Sequence, residues 1–157
     1  MISKYILFLI LGIDALILFF QTSQVSISYS EAQLLYSDFS FLQLLIKSSI
    51  SVFGQNDFGL HFVMIIFHLL SALLIYEISK RYITKDRNRI WLILVFILLP
   101  GVISAAIVVN AAGMVIFGLL LFTYLFPKLP LPFLNTLLIA YTFIDHGFAY
   151  LFLSLSL

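Results

Sequence analysis

From Phe58 to Ser79 the chain runs through an apolar stretch whose sole charged side chain is Glu77, near the far end. A helix that crosses a bilayer needs about 20 such residues, with ~17–25 as the usual range. A short soluble chain has no place for several stretches of this kind, because small domains leave much of their surface in water. The sequence repeats the pattern within 157 residues, of which 63% are hydrophobic and 10% charged. Soluble domains hold roughly 45–50% and about 25%. Lipid is the solvent that fits. The expected fold is all-α, a polytopic transmembrane helical bundle of about four or five spans, the only economical way to satisfy so much backbone in hydrocarbon.

The spans are expected at about 5–20, 58–79, 90–109, 111–126 and 133–157, as a single transmembrane domain. The first carries Asp14, a carboxylate that costs roughly 2.5–3.5 kcal/mol at mid-bilayer, so this span needs neighbours. Gln-Thr-Ser-Gln after Phe20 is a poor cleavage site, and the segment reads as an uncleaved span rather than a signal peptide. Residues 21–57 form a long polar connection. Within it Phe41–Phe53 is apolar but short and is interrupted by Lys47; it reads as a helix lying in the interface with Lys47 snorkelling to water. Gly54-Gln55-Asn56-Asp57 is a turn-forming break, and with Asn56 and Asp57 just before Phe58, Asp57 reads as the N-cap of the next helix.

Charge placement orients the bundle. Lys80, Arg81, Lys85, Arg87 and Arg89 cluster between the second and third spans. Basic loops stay cytoplasmic, which puts 21–57 on the outer side and Lys4 and Lys128 with the inner loop. The same residues serve attraction to anionic membrane lipid, leaving no call for a nucleic-acid partner. Tyr82, Trp91 and Tyr124 read as interfacial anchors. There is no cysteine, and His61, His68 and His146 show no metal-ligand spacing. No metal site and no cofactor is evident from the residues. Glu77 is placed to pair with Arg81 at i, i+4, and Asp145-His146 to pair inside the bundle.

The order of features resembles the N-terminal part of the GT-C fold glycosyltransferases, specifically the family 39, or protein-mannosyltransferase and aminoarabinose-transferase-like, group. The stretch Tyr29-Ser30-Glu31-Ala32-Gln33-Leu34-Leu35-Tyr36 is similar to that group's acidic motif in the first external loop. Phe53-Gly54-Gln55-Asn56-Asp57-Phe58-Gly59-Leu60-His61 resembles its phrase leading into the second span, with His61 where Arg is usual. Tyr76-Glu77-Ile78-Ser79-Lys80-Arg81-Tyr82 and Leu99-Pro100-Gly101 continue the likeness, which covers about residues 5 to 126.

The resemblance implies transfer of a sugar from a polyprenyl-phosphate donor on the outer face of a membrane, which the short loops and absent cysteines suggest is a bacterial inner membrane. It implies Glu31 as catalytic carboxylate, a base or an acceptor-orienting group. It implies Lys47, Asp57 and His61 as substrate-binding residues, with a cation suited to the departing phosphate. A divalent metal enters by family analogy alone. Two departures stand out. Ser30 replaces the first acid of the pair, and Asn110-Ala111-Ala112 holds no acid where a second is often found. The chain reads as the front portion of a longer protein, or as a truncated or inactive copy. The rival reading is a small non-enzymatic membrane protein, an accessory subunit or transporter fragment, with its critical residues mid-membrane at Asp14, His68 and Asp145.

Overall fold

The computed structural model describes residues 2–25, 27–36, 40–145 and 147–156, without the side chains of 2–4, 30, 34, 147, 155 and 156. Asp38 and His146 lie outside the described residues. Those described fold into helices with no strand among them: α1 (Ile2–Thr22), α2 (Tyr29–Tyr36), α3 (Phe41–Phe53), α4 (Asp57–Ser79), α5 (Asp86–Ile97), α6 (Pro100–Ile107), α7 (Ala112–Leu125), α8 (Leu131–Tyr141) and α9 (Gly147–Ser156). Helices α1 and α4 are long and apolar enough to cross a membrane, and the pair α5–α6 adds a third if it is one broken span.

Helix α4 is the axis, packed against α1, α3, α5, α6 and α7. It runs antiparallel to α1. Leu7 and Leu11 meet Ala72 and Tyr76 near one end, and Phe19 stacks on Phe58 at the other with ring centroids 4.4 Å apart. It runs parallel to α7, with Met64 against Met114 and Phe67 against Phe117. The basic residues gather at the end where α4 and α7 finish. Arg81 donates to the Tyr124 carbonyl at 2.7 Å, and Lys128 sits over the Tyr124 ring at 3.4 Å. The carbonyls of a last helical turn have no intrahelical partner, and this draws Arg81 away from the expected pairing with Glu77. Glu77 instead pairs with Lys80, one turn along the same helix.

Two expected spans are not straight helices. The 90–109 stretch bends by 60° between α5 and α6. Pro100 cannot donate a backbone hydrogen bond and its ring clashes with the preceding turn, so a new helix starts there with Leu99 in extended conformation at its N-cap. The 133–157 stretch divides into α8 and α9, which fold back on each other around Leu138, Tyr141 and Phe148. Asp145 lies in the connection and is exposed, rather than in a bundle interior.

The opposite end is built from α2, α3 and the first turn of α4. Ser40 caps α3, its hydroxyl accepting from the Gln43 N–H. Gly54 ends it at φ +88°, a conformation open to glycine at little cost. Asn56 is the N-cap of α4, its side chain accepting from the Gly59 N–H at 2.7 Å. Asp57 therefore occupies the first turn rather than the cap, where its charge complements the helix dipole. A Cβ at Gly59 would lie 2.5 Å from the Gly54 carbonyl oxygen, so this turn closes only around glycine.

Candidate functional site

Residues 28–31 read Ser-Tyr-Ser-Glu, and in the structure they form a capping box at the start of α2. The Ser28 hydroxyl accepts from the Glu31 N–H, while the Glu31 carboxylate accepts from the Ser28 N–H at 2.7 Å and its hydroxyl at 2.8 Å. Two groups satisfy each other's orphan donors. The second carboxylate oxygen, Oε1, accepts from the backbone N–H of Val109 at 2.9 Å. Val109 follows Val108, the extended C-cap of α6, so its N–H lies beyond the helix. Glu31 is thereby 2% exposed, and it fastens the 21–57 region onto the α6–α7 connection.

His61, completely buried, faces the same carboxylate. Its Nδ1–H donates to the Asp57 carbonyl at 2.8 Å, an oxygen that only accepts, so Nδ1 carries a proton. Its Nε2 lies 3.7 Å from Glu31 Oε1 and has no hydrogen bond. Burial pushes the Glu31 carboxyl up. The N–H groups of Ser28 and Val109, the Ser28 hydroxyl and the facing imidazole outweigh it, and hold the carboxyl below its ordinary value.

Lys47 and Asp57 stand apart from this pair. Both line a cleft of about 370 Å³ between α2, α3 and the α4 turn, with Tyr36, Gln55 and Asn56. Lys47 is exposed, as a snorkelling residue of an interfacial helix is. Glu31 and His61 do not line the cleft. They lie behind it, joined to its wall through Leu35 in α2 and Leu60 in α4. The four residues singled out from the sequence thus fall at one end of the bundle but in two groups, an open cation–carboxylate cleft and a buried carboxylate–imidazole contact. Among the described residues no three histidine, aspartate or glutamate side chains gather into a cation-binding group.

A second histidine–carboxylate pair was not foreseen. His68 Nε2 lies 2.8 Å from Asp14 Oδ2, joining α4 to α1 midway along both. His61 and His68 are two helical turns apart, about 10 Å along the α4 axis, and so share a face. Each residue alone carried a signal, as an ionisable group in an apolar run. Their pairing did not, because the partners are 54 positions apart. The capping box was legible as Ser-x-x-Glu, but its extension to Val109 was not.

Comparison with protein-family models, with curated proteins and with solved structures gave no match to this chain.

Proposed function

We propose that the chain is the membrane-embedded N-terminal region of a glycosyltransferase resembling the GT-C, family 39 group, acting on a polyprenyl-phosphate-linked sugar. In this reading the bundle makes four crossings of a bacterial inner membrane, by α1, α4, the α5–α6 pair and α7, and the α8–α9 hairpin returns to the side on which it enters. The Lys80–Arg89 loop is cytoplasmic and the 21–57 region external. The observation that carries the reading is the cleft lined by Lys47 and Asp57 at the end remote from the basic cluster. A cation there suits a carrier phosphate, and the flanking apolar helix α3 suits an isoprenoid chain. Glu31 acts first as a positioning residue. With both oxygens engaged, it reaches an acceptor as a base only when α2 moves off Val109. No step is routed through a metal.

The test is binding of a fluorescent polyprenyl phosphate to the full chain in lipid nanodiscs. Saturable binding that Lys47→Ala weakens several-fold, and that the corresponding polyprenyl alcohol does not compete, supports the reading. Equal binding of the alcohol, or binding unchanged in both Lys47→Ala and Asp57→Ala, overturns it.

The hydrogen bond between Asp14 and His68 favours a second reading, a non-enzymatic accessory subunit or transporter fragment. Intramembrane ionisable pairs mark ion or proton paths as well as helix contacts. Sugar transfer by a complete protein that survives His68→Gln but not Glu31→Ala decides for the enzyme.

A further inference from the structure

His68 uses one ring nitrogen and leaves the other bare. Its Nε2 meets Asp14, while Nδ1 is buried without a hydrogen bond, on a residue 4% exposed. A buried polar atom in that condition ordinarily has a water partner. His68 lines a chamber of about 10 Å³ between α4, α6 and α7, walled by Ser71, Val102, Ala105, Ala106, Gly113 and Ile116. That volume is at the size of one water molecule, for which ~10–15 Å³ is the threshold. Ala105, Ala106 and Gly113 make the room among largely apolar walls, where the His68 nitrogen is the polar atom left without a partner.

We propose that this chamber is a one-water site, and that Asp14, His68 and the water form a proton-holding chain inside the bundle. An ionised Asp14 only accepts, so Nε2 then carries the proton and Nδ1 offers a lone pair to a water O–H. A proton arriving on the water passes to Nδ1 as the Nε2 proton moves to Asp14. The products are water, a neutral carboxyl and the other imidazole tautomer. The reverse transfers return the proton to the water. Among the described residues, α1 contributes Asp14 to this centre and α6 contributes no titratable side chain. The titratable side chain of α7 is Tyr124 at its far end. Lys47 of α3 and Asp86, Arg87 and Arg89 of α5 stand toward the ends of the bundle, as do Asp57 and Glu77 of α4. The inference holds under either reading of function.

The experiment is solid-state NMR on the full chain, with labelled histidine, in lipid bilayers, His68 being assigned by its loss in His68→Gln. Magnetisation transferred from water to the His68 ring, with the Nδ1 line displaced from the position of a free lone pair, is the expected result. An Nε2 hydrogen bond to Asp14 with no transfer from water overturns the proposal and leaves the pair a helix staple. Gly113→Ala sets a methyl group 3.0 Å from the Ala105 carbonyl oxygen on the chamber wall and should abolish the transfer while the Asp14 bond persists; transfer undiminished in that variant also overturns it. The first reading is taken on the unmodified chain, with His68→Gln serving for assignment alone.

Discussion

The Glu31 carboxylate and the Val109 backbone N–H, 78 positions apart in the chain, are joined by a buried hydrogen bond of 2.9 Å. It links the region before α3 to the connection between α6 and α7. Hydrogen bonds to charged groups contribute about 1.5–3 kcal/mol, and an orphaned buried donor costs a similar amount. Glu31→Gln keeps the shape but cannot accept at both ends, because one oxygen becomes a donor. It should destabilise the protein by about 1–3 kcal/mol, measured as a lower midpoint in thermal unfolding in detergent. Ser28→Ala, which removes only the capping hydroxyl, should cost about 1 kcal/mol.

The same carboxylate gives the fold an acid-sensitive component. Its folded pKa is depressed below the ordinary 4.5, so the unfolded chain takes up its proton first. The stabilisation is fully present above the ordinary value and is lost as pH falls through the lower, folded one. Thermal midpoints followed from neutral pH into that acid range should fall less in Glu31→Gln than in the unmodified protein. Parallel curves would exclude Glu31 as a source of acid sensitivity.

Glycines should divide sharply by position. Gly59→Ala forces its methyl against the Gly54 carbonyl and should cost ~1–3 kcal/mol as overpacking does. Gly12→Ala, with nothing within 4 Å of the new Cβ, should raise stability by a few tenths to about 1 kcal/mol through helix propensity. Denaturant unfolding of the two variants side by side checks the contrast.

Asp14 and His68 should behave as a coupled unit. In a double-mutant cycle with Asp14→Ala and His68→Ala, the coupling energy should be about 0.6–2 kcal/mol, the span seen for polar pairs between membrane helices. Additive losses would show that the two side chains do not meet in lipid.

Much of this architecture is legible along the chain because the signals are local. Helix α4 starts at Asp57 where the apolar run starts at Phe58, and α3 coincides with the Phe41–Phe53 segment read as interfacial. The break at Pro100 was marked by the proline itself, yet its effect, a 60° bend, depends on the helices that hold α6 in place. The division of 133–157 falls at Asp145-His146-Gly147, a polar break that the sequence carries but that reads equally well as an intramembrane pair inside one span. At the site, Glu31 was visible as an outer acid, while the Ser-x-x-Glu spacing that makes it a cap passed unremarked. What the sequence hid was every relation across distance: Val109 on Glu31, His68 on Asp14, and the separation of Lys47 and Asp57 from both. Hydrophobic patterning specifies which face turns inward, but not which polar groups meet there.

The bend at Leu98–Leu99 also bears on what the α5–α6 pair can do by itself. Helices α5 and α6 have 12 and 8 residues, about 18 and 12 Å of helix, and neither alone reaches across ~30 Å of hydrocarbon. Among the described residues only α1 and α4 are by themselves long and apolar enough to cross. The broken pair packs on both of them and takes its shape from that contact.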